Sequence, residues 1–430
     1  MDLKWLHPAQ QIVMFMDRIY HYGMTTTSGG NLSIKDEEGN IWISPAGIDK
    51  SSLTIKDIVC VRPDGTVEGM HKPSSEFPFH KSIYEARPDL EAIVHAHPPA
   101  LVAFSIARKL PNTRLIPNIR LVCGGLGLAE YGLPGSMDLG KKIAAQFADG
   151  NNSVILENHG VVVGEKSLFR AFMAFETLDF CARLEVNANR IGSTIPLSDM
   201  EIELSRTKNN ALLEDDQDMQ HSTKEKELRQ EMTAFILRAY DQQLFTSTQG
   251  TFSQRLEGES FLITPYNKDR KYMEPEDLVK VCGDRKQAGK IPSRSVKLHQ
   301  EIYRQHPHIN AIIIAHPPNI MAYAVTDKRF DSRTIPESYI LIRELPKLSF
   351  GATFIDVDKT AAVFMPQVPI AMVKNDCVIS TGKSLLAAFD GLEVVEYSAK
   401  AVIDAGALGE VVKIGNREVA DLIEAFHLPQ

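Results

Sequence analysis

The sequence predicts an α/β protein built twice, and three observations lead there. Segments of the first half return in the second at an offset that stays between 217 and 220 residues. Helical and strand-like patterns alternate within each copy. A polar, charged stretch separates the copies, as an exposed connection should. WISPAGIDKSSLTIKDIV from Trp42 returns as FLITPYNKDRKYMEPEDLV from Phe261. AIVHAHPPALVA from Ala92 returns as AIIIAHPPNIMA from Ala311, and VILENHGVVVGEKSL from Val154 as IAMVKNDCVISTGKSL from Ile370. Asp57 thereby maps to Asp277, His97 to His316 and Ser167 to Ser384. An interval this long marks a domain duplication rather than a solenoid. The expected organisation is one domain over 1–205, a linker over 206–227 and a second domain over 228–430.

The elements of the first copy follow in order. Residues 8–22 open on Pro8 and place Ile12, Phe15, Met16 and Ile19 at helical spacing, with Gly23 as the C-terminal stop. The runs 41–44, 58–61, 92–97 and 154–159 are short and rich in β-branched residues, so they read as strands. A helix over 79–85 has Ser74, Ser75 and Glu76 ahead of it as capping candidates. Residues 166–191 form a long amphipathic helix with Leu168, Phe172, Phe175 and Leu178 inward and Gly192 closing it. In the second copy Met232, Phe235, Ile236 and Tyr240 repeat the first helix, and Leu385, Phe389 and Leu392 the last. Strand order is not readable from these patterns.

Composition narrows the function. Of 430 residues, 43% are hydrophobic and 24% charged, with 47 basic against 55 acidic side chains and a net charge of −8. Such mild acidity argues against a nucleic-acid partner, which calls for a basic patch. The five cysteines (Cys60, Cys123, Cys181, Cys282, Cys377) are odd in number and lack CxxC spacing, which points to a reduced protein. The first residues lack a basic, then apolar, leader, and no apolar run approaches the roughly 20 residues of a membrane span. No membrane partner is expected, and the cytoplasm is the expected location.

The chemistry concentrates in His95-Ala96-His97. Alternate residues of a strand share a face, so both imidazoles point the same way. His159 is the third candidate ligand, and Gly160 after it allows a sharp change of backbone direction. Three histidines leave one or two coordination positions open, as a catalytic metal requires. Zn²⁺ suits them best, with Mn²⁺, Co²⁺ and Fe²⁺ open. Three turns accompany the histidines. Thr25–Asn31 is rich in hydroxyls and glycine and can present N–H groups to an oxyanion. Lys72-Pro73-Ser74-Ser75-Glu76 offers two hydroxyls and a carboxylate able to act as a base, and caps a helix equally well. Ser44-Pro45-Ala46-Gly47 reads equally as a simple tight turn.

SGGN at 28–31, SPAG at 44–47, KPSSE at 72–76, HAH at 95–97 and NHG at 158–160 stand in one order. In that order and spacing the first half resembles the class II aldolase/adducin family. The resemblance spans residues 8–200. It implies a metal on His95, His97 and His159, a substrate phosphate on Ser28, Asn31, Gly47, Ser74 and Ser75, and Glu76 as acid/base. The implied fold is a three-layer sandwich around a largely antiparallel sheet, assembled as a homo-oligomeric ring. The implied substrate is a small phosphorylated keto-sugar, cleaved to dihydroxyacetone phosphate and an aldehyde. The metal would stabilise the enediolate as a Lewis acid, so no Schiff-base lysine is called for. Epimerases, dehydratases and decarboxylases of the family share the same ligands, and adducin-like scaffolds lack catalysis. One departure stands out: Leu121 occupies a place where fuculose-phosphate-type aldolases carry tyrosine. The donor on the aldehyde side is thus unassigned, and nearby Arg120 and Tyr131 read as structural.

The second copy has lost this set. Ile314 replaces His95, Asp376 replaces His159, Ser295 replaces Glu76 and Thr251 replaces Asn31, leaving His316. A degenerate, non-catalytic domain is expected. Thr264, Ser293 and His316 read first as packing residues, with a small-anion role open.

Overall fold

The computed structural model describes residues 3–428. The first copy runs α1 (Pro8–His21), β1 (Asn31–Lys35), β2 (Ile41–Ile43), β3 (Val59–Val61), β4 (Val67–Glu68), α2 (Phe77–Ala86), β5 (Ala92–Ala96), α3 (Pro99–Ala107), α4 (Pro117–Cys123), β6 (Leu126–Ala129), α5 (Met137–Ala148), β7 (Ser153–Leu156), β8 (Val161–Glu165) and α6 (Leu168–Ile191). Its sheet has the order β4-β3-β2-β1-β5-β8-β7-β6, antiparallel except for the β6–β7 pair. The core of the sheet explains itself. All five residues of β5 are buried, so the strand is covered on both faces. One face carries α2 and α5, whose Phe79, Ile83, Leu139, Ile143 and Phe147 close over Ile93, Val154, Leu156 and Val162. In the layer built by α1 and α6, the Phe15 ring lies 5.2 Å from Phe172.

The ends of α1 follow from local chemistry. The His7 side chain accepts from the Ala9 N–H and Gln10 reaches back to the His7 N–H, satisfying two orphan donors. Pro8 stands where no N–H is missed. Gly23 takes a φ of 67° just past the end. The residues expected inward on α6 (Leu168, Phe172, Phe175, Leu178) are all buried.

The second copy repeats the plan. After α7 (Asp199–Ser205) come β9 (Glu214–Asp216), α8 (Thr223–Asp241), β10 (Thr251–Arg255), β11 (Ser260–Ile263), β12 (Val279–Cys282), β13 (Arg285–Gln287), α9 (Val296–Gln305), β14 (Ala311–Ala315), α10 (Ile320–Ala324), α11 (Pro336–Ile342), β15 (Lys347–Leu348), α12 (Val357–Ala361), β16 (Ile370–Val373), β17 (Cys377–Gly382), α13 (Leu385–Ala405) and α14 (Asn416–Ala425). The order is β15-β16-β17-β14-β10-β11-β12-β13-β9. Only β15–β16 and β13–β9 are parallel.

The chain divides into two compact units: 1–113 with 118–183, and 114–117 with 184–430. The division falls inside α6. The polar segment 206–227, expected as a connection, carries β9, which pairs with β13 from Glu214↔Arg285 to Asp216↔Gln287. It is therefore part of the second unit. Among the described residues the five cysteines are free, and no helix is long and apolar enough to cross a membrane.

Candidate metal centre

Strand β5 delivers the first candidate ligand. Asn31 of β1 lies opposite His95, and His95 opposite Val162 of β8. The His95 side chain is fully buried and shares its face with Ile93, toward α2, where its ring meets Phe79 edge-on at 5.3 Å. His95 Nδ1 donates to the Val161 carbonyl (2.9 Å), since a carbonyl only accepts. That bond fixes the tautomer and turns the Nε2 lone pair outward. His97 lies just past the strand, held by its N–H on the Met24 carbonyl at 3.1 Å.

His159 arrives differently from expectation. The strand ends at Leu156, and residues 157–159 form the turn into β8. The change of direction is made by Asn158, at φ 53°, and not by Gly160. Gly160 serves clearance: a Cβ there would lie 2.6 Å from both the Ala96 oxygen and His97 Cδ2. Glycine lets β8 pass close enough for His97 and His159 to stack, ring centroids 5.1 Å apart.

The three imidazoles converge, with one nitrogen of each inside a 4.8 Å group. His97 Nε2 is 3.1 Å from His95 Nε2. Glu76, at the N-terminus of α2, completes the cluster: Oε2 is 3.1 Å from His95 Nε2 and Oε1 is 3.4 Å from His159 Nε2. Tetrahedral ligands at about 2.05 Å from a zinc ion stand about 3.3 Å apart, so the spacing suits such an ion. Two buried atoms sharpen the fit. Glu76 Oε1 and His159 Nδ1 have no hydrogen-bond partner. A buried polar atom without a partner is costly, and a cation bound among these groups would satisfy them. Burial, helped by His95 and His159, pushes His97 down to about 3, and burial with His95 pushes His159 down to about 4. Both imidazoles are therefore neutral at pH 7, the form a metal needs. Burial pushes the Glu76 carboxyl up, but His95, His159 and Asn31 outweigh it and hold it well below the usual carboxylate range.

A buried relay braces Glu76. Asn31 Nδ2 donates to Glu76 Oε2 (2.8 Å), and Asn31 Oδ1 accepts from His80 Nε2 (2.5 Å). His80 Nδ1 accepts from Ser33 Oγ (2.7 Å), which accepts from the Tyr84 hydroxyl (2.8 Å). Burial holds His80 down to about 3, so it is neutral and each bond has one consistent direction. Asn31, expected at a phosphate, thus commits its Oδ1 to His80 and one amide hydrogen to Glu76.

The three turns are stitched together. The Lys50 N–H donates to Thr27 O (2.8 Å), Ala46 N–H to Lys72 O (3.1 Å) and Ser74 N–H to Ser44 O (3.2 Å). Ser28, Gly47 and Ser75 stand exposed on these turns, and buried Ser74 accepts from the Glu76 N–H at 3.3 Å. Beneath them Lys50 is buried, its Nζ on the Pro45 carbonyl (2.8 Å), and burial pushes it down to about 8 despite Asp49. The sequence reading missed Lys50 and His80. Both had a signal: the repeat places Arg270 opposite Lys50, and His299 with Tyr303 opposite His80 with Tyr84. Leu121 is 74% exposed, and Arg120 and Tyr131 are exposed as well.

The profile of the Class II Aldolase and Adducin N-terminal domain matches residues 10–186 and again 230–403. The chain belongs to the class II aldolase/adducin family in two tandem copies, and it is an enzyme of that type. The 5-deoxy-D-ribulose 1-phosphate aldolase of Bacillus thuringiensis serovar kurstaki is 32% identical over 45% of this chain and 91% of its own length. The L-fuculose phosphate aldolase of Escherichia coli K12 is 30% identical over 45% and 90%. The 3-oxo-tetronate 4-phosphate decarboxylase of Haemophilus influenzae is 30% identical over 38% and 80%. A solved L-fuculose 1-phosphate aldolase shares 32% identity over 46% of this chain and 93% of its own, with a TM-score of 0.42.

Proposed function

We propose that the first lobe is a Zn²⁺-dependent aldolase that cleaves a keto-sugar phosphate to dihydroxyacetone phosphate and an aldehyde. One observation carries this reading: a buried carboxylate, Glu76, faces three converging imidazoles with one oxygen unpartnered. A divalent ion on His95, His97 and His159 would supply Lewis-acid polarisation of the substrate carbonyl. Glu76 is ionised at neutral pH, so it takes a proton as base and returns it as acid. Asn31 and His80 hold its second oxygen and set its orientation. The turns bearing Ser28, Gly47, Ser74 and Ser75 receive the substrate phosphate, with Lys50 adding positive charge from below. Asn31 keeps one amide hydrogen for the same ligand.

Decarboxylation of a phosphorylated oxo-acid is the second reading, supported by the Haemophilus relative and by Leu121. The whole chain is read as a cytoplasmic homo-oligomer. Exposed Leu121, Tyr131, Leu133 and Met137 call for a cover. The test is product analysis of the zinc-loaded protein on L-fuculose 1-phosphate, 5-deoxy-D-ribulose 1-phosphate and 3-oxo-tetronate 4-phosphate. Release of dihydroxyacetone phosphate supports the aldolase; carbon dioxide from the last substrate alone replaces it with the second reading.

A further inference from the structure

The second lobe keeps the backbone frame of the metal centre so closely that its side-chain exchanges can be read one by one. Thr251 lies opposite Ile314 as Asn31 lies opposite His95. The His316 N–H donates to Leu244 O at 3.0 Å as His97 does to Met24 O at 3.1 Å. Asn375 at φ 52° precedes Asp376 as Asn158 at φ 53° precedes His159. Ser295 stands ahead of α9 at φ −85° and ψ 6°, as Glu76 stands ahead of α2 at −96° and 7°.

On that frame the chemistry is inverted. Ile314 offers no lone pair. Asp376 Oδ2 accepts from Thr353 Oγ1 (2.6 Å), and the Lys208 ammonium lies 3.9 Å away. Lys208 Nζ is also 3.4 Å from Thr353 Oγ1 and sits over the Phe354 ring. Where the first lobe needs a mobile cation, the second has one tethered to the chain. A further cation stands where the first lobe has Ser75: Arg294 donates from Nη1 to the Lys208 carbonyl (3.3 Å) and lies over the Tyr266 ring, while its other N–H groups meet no acceptor among the described residues. Beside it run three hydroxyls, with Ser293 Oγ 2.7 Å from Thr251 Oγ1 and 3.0 Å from Ser295 Oγ. His316 Nδ1 is buried without a partner. The first cluster gathers three imidazoles around one carboxylate. The second carries two cations against one carboxylate, so it is positive as folded.

We infer that the second lobe binds the phosphate of a small phosphate monoester without any metal. A guanidinium fork and a row of hydroxyls supply more donors than the two oxygens of a carboxylate accept, and a phosphate offers three terminal oxygens. The inference stands on the contacts of the second lobe alone and survives if the first-lobe reaction is another one.

The test titrates inorganic phosphate into the full chain, stripped of metal, by calorimetry, with sulfate-free sodium chloride at equal ionic strength as reference. Arg294→Ala is expected to weaken one phosphate-binding event by about tenfold or more, and Arg294→Lys by less, because the fork is lost but the charge stays. Phosphate should raise the thermal midpoint of the wild type, and this rise should shrink in Arg294→Ala and in Lys208→Ala. Ser75→Ala serves as the first-lobe counterpart. Phosphate binding abolished by Ser75→Ala but untouched by Arg294→Ala and Lys208→Ala, in variants with wild-type circular dichroism, overturns the proposal. So does a midpoint shift that chloride reproduces.

Discussion

Two lobes of one chain share a fold, a strand register and a pair of left-handed asparagines, yet one gathers three imidazoles around a carboxylate and the other does not. The buried relay shows how much of a site is scaffold. Ser253, His299 and Tyr303 repeat the contacts of Ser33, His80 and Tyr84 at 2.6 and 2.8 Å, although in the second lobe no glutamate remains to be braced. His299 Nε2 is left without a partner there. The buried cations diverge in the opposite sense. Arg270 spends its guanidinium on the carbonyls of Gln249, Gly250, Pro265 and Lys268, whereas the Lys50 ammonium reaches, among the described residues, the Pro45 carbonyl alone. A frame can thus outlive its chemistry, because its hydrogen bonds fold the lobe whether or not a reaction follows.

The comparison breaks most visibly at His95. Replacing it with alanine should take metal content from about one per chain to near none and cut kcat/KM by at least about three orders of magnitude, since Lewis-acid assistance is worth several kcal/mol. Elemental analysis with a lyase assay reads both; metal that persists at full stoichiometry would mean the ion sits elsewhere. Glu76→Ala should lower kcat about 10²–10⁴-fold while the metal stays, the expected cost of losing a positioned acid/base. Full activity in that variant removes Glu76 from the reaction.

The converse experiment rebuilds the lost site. Ile314→His with Asp376→His returns the second lobe to the ligand pattern of the first, and metal content should rise from about one to about two per chain. Activity should not double, because Ser295 has no carboxylate for the proton transfer proposed for Glu76. A stoichiometry that stays at one would show that the shared backbone is not sufficient.

Acid should weaken both lobes of the metal-free protein. His80 and His97 are held down to about 3 and His159 to about 4 in the first lobe; His299 is held to about 3 and His316 to about 4 in the second, burial being the first cause in each. The unfolded chain binds these protons near 6.5 and the folded chain only far lower. The stabilisation is therefore whole above about pH 6.5 and is lost as the pH falls toward 4. Urea midpoints across that range measure it, and a flat profile contradicts it. The smallest effect is a matched pair. Ser33→Ala and Ser253→Ala each strip a buried imidazole and a tyrosine of their shared partner, at a cost of about 1–3 kcal/mol. Chemical denaturation should find similar losses, but only Ser33→Ala should also lower kcat.

Much of this was legible because it obeys local periodicity. Strand alternation put His95 and His97 on one side, although His97 stands just past the end of β5, and the apolar spacing of α1 and α6 reports their buried sides. The duplication itself announced which copy had lost its ligands. What stayed hidden depends on contacts made across the fold. Lys208 lies in a polar run that reads as a connection, and only folding brings its ammonium to Asp376. Asn31 reads as a turn residue, and its commitment to Glu76 spans 45 positions. Gly160 suggested a bend because glycine permits one, while the approach of His97 that requires it is invisible along the chain.

The short strand β9 carries a practical consequence. A second half expressed from residue 228 onward would leave the outer rim of β13 bare, with unpaired N–H and C=O groups ready to recruit another molecule. A second half that begins with its compact unit, near residue 184, keeps Glu214–Asp216 as its own hem and leaves that rim paired.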